Sequence, residues 1–279
     1  MNQITFGEFF CGAGGLSLGA ISAQKTASGH QRMKSAWAVD HDGDACATYH
    51  RNIHRGRGRL ASESSGRGVP GIDVPQGSDP LVLSADIRNL DFSMLNPIDA
   101  FLFGFPCNDF SSIGETRGLH GSFGPLYEHG IRLIIAKNPR FFVAENVTGI
   151  VHANDRRAFR KIIDDLHIRS LGEERSYVVT PHLYRFEEYG IPQNRHRVMI
   201  VGIRSDVARS MKRPFMPPAP TGIRMTAGEA LAGLSPELPN SQFKPLSDIV
   251  LERLRYIAPG QNIWDVNDTI PCHLRLKAK

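Results

Sequence analysis

Apolar residues along the chain fall into short runs separated by polar, glycine-rich or amphipathic stretches. Ile4 to Phe10 reads as a strand that stops at the cluster Gly12-Ala13-Gly14-Gly15, and a helix-prone stretch follows from Leu16. Ser35 to Asp40 reads as a second strand ending on an acid, and Asp42 is placed to cap a helix running through Ala45 to about Arg51. Further strands are predicted over Val82–Ile87, Ala100–Phe105, Phe141–Glu145, Val178–Tyr184 and Val198–Ile203, with helices near Leu126–Lys137 and Asp155–Leu171. Short apolar strands alternating with amphipathic helices predict an α/β fold built on a doubly wound, mainly parallel sheet. The last two strands are joined by Glu187-Glu188-Tyr189-Gly190-Ile191-Pro192, too short for a crossover helix, so those two should pair antiparallel.

Two stretches break this pattern. From His54 to about Pro80 the chain is rich in Arg, Gly, Ser and Pro with no hydrophobic period, which predicts an exposed inserted loop. Its arginines leave open a role as a basic strip against phosphates. At Pro214, Pro217, Pro218 and Pro220 the chain leaves the core, and helices are predicted beyond it over Thr226–Leu234 and near Leu246–Tyr256. No internal repeat is present.

Composition narrows the class of protein. The 279 residues are 41% hydrophobic and 22% charged, as in ordinary globular domains. A net charge of +5 suits a polyanionic partner without demanding one. Cys11, Cys46, Cys107 and Cys272 lie far apart with no C-x-x-C pair, which argues against a disulfide framework or a zinc site and for a reducing cytoplasm. No signal-peptide pattern opens the chain and no apolar run reaches membrane-spanning length.

Four segments could carry chemistry. The glycines after the first strand let a ligand approach the backbone beside a helix N-terminus, although Ser17 stands where a dinucleotide fingerprint would place a third glycine. Asp40 and Asp86 end neighbouring strand candidates, a pattern suited to an adenosine-type cofactor in the crevice over the sheet. Phe105-Pro106-Cys107-Asn108 sets a thiol at a strand end beside that crevice, whereas a cysteine taken alone is more often a small buried apolar residue. Glu145 closes an apolar strand, where a carboxylate needs a task or a partner. Gln193-Asn194-Arg195-His196-Arg197 aims alternate arginines to one side, to hold a phosphate or a base oxygen or to form surface ion pairs.

In this order and spacing, the Phe-x-Gly-x-Gly turn at Phe10, Pro106-Cys107, Glu145-Asn146-Val147 and Gln193-x-Arg195-x-Arg197 resemble the cytosine-5 DNA methyltransferase family, from Ile4 to about Ile203. The resemblance implies a methyltransferase-type sheet with an antiparallel last strand, and S-adenosylmethionine as cofactor. Phe10 would pack on the adenine, with Gly12, Ala13, Gly14, Gly15 and Leu16 forming the turn under the methionine part. Asp40 would bind the ribose and Asp86 the adenine amino group, with His41, Ile87, Pro106 and Leu126 lining the pocket. Cys107 would add to C6 of cytosine as nucleophile, and Glu145 would hydrogen-bond N3 and the exocyclic amine. Arg197 would bind the base O2 and Arg195 would position Glu145 or a nearby phosphate. Phe105, Asn108, Ser111 and Gln193 would face a base flipped out of duplex DNA.

The family pattern is departed from in three places. Glu8 stands where Asp is more usual, and Asn108 where many members have Gln. Pro259-Gly260-Gln261-Asn262-Ile263-Trp264 resembles the lead-in to a target-recognition region, yet the chain stops at Lys279. This implies the catalytic subunit of a split restriction-modification enzyme, with residues 1–213 as catalytic domain and 214–279 as lead-in. A second subunit would carry the recognition region and complete the cofactor pocket. Such a protein would work in a prokaryotic cytoplasm, at the nucleoid through its DNA. A truncated single-chain enzyme, a non-catalytic cofactor- or DNA-binding module and an RNA methyltransferase of the same chemistry are the competing readings.

Overall fold

A computed structural model of the chain describes residues 3–23, 32–62, 79–106, 126–152, 156–169, 172–235, 237–238 and 244–277. The chain forms two compact units, Met1–Thr226 and Ala227–Lys279. In the first, the strands are β1 (Gln3–Phe9), β2 (Arg32–Asp40), β3 (Arg59–Ser62), β4 (Leu81–Ser84), β5 (Ala100–Phe103), β6 (Phe141–Val147), β7 (Tyr177–Arg185) and β8 (His196–Arg204). They form one sheet in the order β3-β4-β2-β1-β5-β6-β8-β7. All neighbours pair parallel except β8, which runs antiparallel to both β6 and β7. The strand order reverses direction between β1 and β5, so a crevice opens there beyond the carboxyl ends of the strands.

Both faces of the central strands are buried, which is why they read as near-continuous apolar runs. Phe9, Trp37, Val39, Leu83, Phe101, Phe103 and Phe142 point into one core cluster, shared with Leu133 and Ile134 of α3 (Leu126–Lys137) and Ile162 of α4 (Arg157–Leu166). On the other face Phe6, Ala100 and Leu102 pack with Leu16 and Ala20 of α1 (Gly15–Ser22). Ala38 and Val82 on that face pack with Cys46 and Tyr49 of α2 (Gly43–Asn52). The expected cap of α2 is formed: the Asp42 carboxylate accepts from the Asp44 and Ala45 amides at 2.9 and 3.0 Å.

The structure corrects the expected loop over His54 to Pro80. Arg59–Ser62 is strand β3, paired parallel with Leu81–Ser84 at the sheet edge. An edge strand with most of its residues exposed needs no apolar alternation, so hydrophobic period could not reveal it. Residues 63–78 lie outside the described residues. The opposite edge is β7, which carries Pro181 in mid-strand, where a missing N–H is tolerated.

α5 (Ser205–Ser210) closes the regular part of the first unit. The second unit contains α6 (Ala227–Leu231), α7 (Asp248–Leu254) and α8 (Ile263–Val266), and a small cluster of Val266, Ile270 and Leu274 with Ile257 and Ile263 packed against it. A reciprocal cap between Asn262 and Asp265 starts α8. No helix among the described residues is long and apolar enough to cross a membrane.

Gly7 meets the indole of Trp37: a Cβ on Gly7 would lie 2.2 Å from the ring. The ring is buried and its Nε1 donates to the Asn96 carbonyl at 3.0 Å, so it cannot swing aside. Gly7→Ala is therefore expected to destabilise the first unit by about 1–3 kcal/mol. A lowered urea midpoint with an unchanged slope would show this.

Candidate active site

The glycine turn leaves β1 through backbone that side chains rarely adopt. Phe10 has φ 55°, Gly12 φ 50° and Gly14 φ 95°. Gly14 must also be small, because a Cβ there would come within 2.6 Å of Ile53. The turn is held by Gly14 N–H donating to the Cys11 carbonyl at 2.9 Å and by Cys11 N–H donating to Val39 at 3.3 Å. Its link to the neighbouring strand end is Gly12 N–H donating to Asp40 Oδ2 at 2.8 Å. Asp40 Oδ1 accepts from the Asp42 amide at 3.0 Å and lies 3.2 Å from His41 Nδ1. A carboxylate offers about four acceptor positions, so one on Oδ2 stays open toward the crevice.

Beside this turn a cleft is lined by Phe10, Asp40, His41, Ala85, Asp86, Ile87, Arg88, Pro106 and Leu126. Seven of the expected cofactor residues line it together: Phe10, Asp40, His41, Asp86, Ile87, Pro106 and Leu126. Gly12 and Gly14 serve it indirectly by shaping the turn, with Ala13 and Gly15 exposed on that turn. Leu16 does not line the cleft and packs beneath α1 against the sheet.

Ala85 and Arg88 were not foreseen. The Arg88 Nε donates to both Asp86 oxygens, at 3.0 and 2.9 Å. This pairing holds the Asp86 carboxyl below its usual range. An arginine two residues after an acid in a turn was the available signal.

A second cluster forms at the ends of β5, β6 and β8. Glu145 Oε1 pairs with Arg197 Nε at 2.8 Å, and Arg195 Nη2 lies 4.0 Å from the same oxygen. Register explains the choice. Val147 is opposite Arg197 and Glu145 is opposite Met199, which makes Glu145 and Arg197 diagonal neighbours on one face. The arginine expected on the base is thus the one in contact with Glu145, and Arg195 stands further off. The Glu145 Oε2 faces Gly104, where a Cβ would lie only 3.4 Å away. One carboxylate oxygen is therefore anchored while the other looks over the exit of β5.

Phe105 is buried, and its ring packs with Phe103 and Tyr127. Its carbonyl accepts from Asn146 Nδ2 at 3.2 Å, and Asn146 Oδ1 accepts from the Val147 amide at 2.8 Å. Asn146 was part of the Glu-Asn-Val motif but was not singled out; a fully buried amide at a strand end was its signal. It fixes the segment leading to Pro106 against β6. Gln193 is exposed on the turn before β8. Cys107, Asn108 and Ser111 lie outside the described residues.

The model of the family described as C-5 cytosine-specific DNA methylase matches residues 4–268. The chain belongs to that family. It is 41% identical over 283 residues to the type II methyltransferase M.BbvI of Brevibacillus brevis, covering 98% of this chain and 67% of that protein. It is 32% identical over 273 residues to M.NgoFVII of Neisseria gonorrhoeae, covering 96% of this chain and 63% of the other. Among solved structures, an E. coli prophage protein described as a DNA modification methyltransferase superposes with a TM-score of 0.54 at 25% identity, over 83% of this chain and 55% of that one. The C-5 methylase chain thus spans about two thirds of these curated relatives and just over half of the solved one.

The methyl donor of this family and fold is S-adenosylmethionine, and the cleft suits it chemically. Phe10, Ile87, Pro106 and Leu126 offer apolar faces for a purine. Asp40 and Asp86 offer acceptors for hydroxyl and amino groups.

Asn146→Ala would orphan the Phe105 carbonyl and remove the acceptor used by Val147. A loss of about 1–3 kcal/mol in unfolding free energy is expected from denaturant titration.

Proposed function

We propose that this chain transfers the methyl group of S-adenosylmethionine to C5 of cytosine in duplex DNA, through a covalent adduct between Cys107 and C6. The observation that carries the reading is the Glu145–Arg197 pair at 2.8 Å, set beside the strand exit that leads to Cys107 and along the same sheet edge as the cofactor cleft. Bound S-adenosylmethionine supplies an electrophilic methyl group on its sulfonium. Residues 1–213 are the catalytic domain in this proposal.

Each step has a residue suited to it. Cytosine C5 is a poor nucleophile, and addition of the Cys107 thiolate to C6 makes the ring enamine-like, so that C5 can take up the methyl group. Glu145, with Oε1 anchored by Arg197, presents Oε2 to N3 and the exocyclic amine and stabilises the charge that builds as the thiolate adds. Arg195, 4.0 Å from Glu145, is assigned to the base O2 or a phosphate, an exchange of the roles first expected for the two arginines. The C5 proton then leaves to a base, C6–S breaks, and the Cys107 thiolate is regenerated. The base must be flipped from the stack to reach these groups.

Target choice is assigned to a recognition region outside these residues, on a second polypeptide or on a longer form of this one, with 214–279 as the lead-in to it. The match covers 67% and 63% of the two curated relatives, so about a third of each has no counterpart among these residues. Strong, sequence-specific methylation by the 279-residue chain alone would overturn this assignment.

On DNA carrying 5-fluorocytosine, the protein supplemented with S-adenosylmethionine and any required partner is expected to form a denaturation-resistant adduct, absent in Cys107→Ser. Glu145→Gln should slow methyl transfer by about 10²–10³-fold with little change in cofactor affinity. Normal trapping by Cys107→Ser would exclude Cys107 as the nucleophile.

A further inference from the structure

Beneath the glycine turn lies a buried polar chain that the methyl-transfer reading does not use. Glu8, on β1, is 1% exposed and accepts a short bond from the Ser17 hydroxyl. The Ser17 hydroxyl lies 2.6 Å from Tyr49 OH, Tyr49 OH lies 3.0 Å from Ser35 Oγ, and Ser35 Oγ lies 3.0 Å from His54 Nε2. Five side chains from β1, α1, β2, α2 and the segment after α2 are thereby joined in one line. The Ser17 backbone also bonds to Glu8. Ser17 is the third residue of α1, whose N-cap, Gly14, has no side chain to cap the helix. The strand below supplies the cap instead.

We propose that the Glu8–Ser17–Tyr49–Ser35–His54 chain is the positioning element of the glycine turn, clamping the first turn of α1 to the sheet so that the cofactor can bind. The proposal rests on the cofactor assignment of the neighbouring cleft. The turn has two anchors: Asp40 holds Gly12 from β2, and Glu8 holds Ser17 from β1. Both acids lie close enough that Asp40 acts electrostatically on Glu8.

The protonation of Glu8 then governs the clamp. Burial, chiefly, pushes its carboxyl up to about 8, with Asp40 adding to the rise and the Ser17 and Tyr49 hydrogen bonds opposing it. The groups facing it are Ser17 of α1, Tyr49 of α2, Asp40 of β2 and the Cys11 thiol of the turn, none of them a cation. At the far end, burial holds His54 down to about 4, with His50 and Lys34 acting in the same direction. His54 is thus neutral at neutral pH and its Nδ1 is unpartnered. On ionisation the Ser17 and Tyr49 hydrogen bonds to Glu8 remain, but the charge stays buried and repels the Asp40 carboxylate that holds Gly12. With a value of about 8, the neutral fraction falls from about nine-tenths at pH 7 to about one-tenth at pH 9.

The test is calorimetric titration of the full chain with S-adenosylhomocysteine from pH 6.5 to 9. Wild type should lose about tenfold in affinity between pH 7 and 9. Glu8→Gln should keep the pH 7 affinity within about threefold and lose most of the pH dependence, since the ligand's own amine titrates equally in both proteins. Tyr49→Phe, which cuts the line, should weaken binding at every pH. The same wild-type and Glu8→Gln pH profiles would overturn the proposal. Hydrogen exchange without ligand supplies a second readout: protection of the Ser17 and Leu18 amides should fall in wild type as pH rises toward 8 and hold in Glu8→Gln. Absence of binding by wild type at pH 7 would fail the cleft assignment, and the exchange profile alone would then decide the clamp.

Discussion

The bond from the Gly12 amide to the Asp40 carboxylate is the contact on which the site depends. A turn that places Phe10, Gly12 and Gly14 all at positive φ is costly for the chain, most of all at Phe10, which has a side chain. It persists because its surroundings over-determine it. Asp40 holds the middle of the turn, Val39 holds Cys11, and Tyr49 and Ile53 pack so closely on Gly14 that no other residue fits. Asp40 itself is fixed by the amide of Asp42, whose carboxylate caps α2. Strand, turn and helix are thus tied through two adjacent acids, and the cleft wall formed by Phe10 and Asp40 follows from that tie.

Acidic groups near the strand ends are stabilised by different means, and the differences sort them by use. Asp40 is met by backbone amides, leaving an acceptor free for a neutral hydroxyl. Asp86 and Glu145 each face a guanidinium, which fixes their direction. Glu8 has hydroxyl partners and retains its proton over the neutral range. An anion could not be kept cheaply at that depth without a cation.

Much of this was legible in the sequence because the relevant positions are set by local rules. Strands buried on both faces announce themselves as apolar runs, and Asp42 as a cap lies at the one spacing that lets it work. Asp40 and Asp86 were legible as strand-end acids that a parallel sheet brings to one edge, whereas Phe10, His41, Ile87, Pro106 and Leu126 were placed at the cleft by the family resemblance. What escaped was set by pairing across the sheet. β3 has no periodic pattern, since a four-residue edge strand is specified by its partner Leu81–Ser84. The Glu145–Arg197 pair follows from a diagonal register between β6 and β8 that spacing along the chain does not encode. The Glu8 line links residues as far apart as 8 and 54, each unremarkable alone.

The two ends of the sheet have a consequence for how this protein can meet others. β7 interrupts its own edge with Pro181, removing a donor that an incoming strand would need. Among the described residues β3 offers four, with Arg59 exposed at its start. A nine-residue edge strand left intact would be a template for indiscriminate pairing with any extended chain. Blunted at both margins, the sheet discourages self-association through its backbone. Recognition is left to side chains at the carboxyl ends of the strands, where chemistry can discriminate.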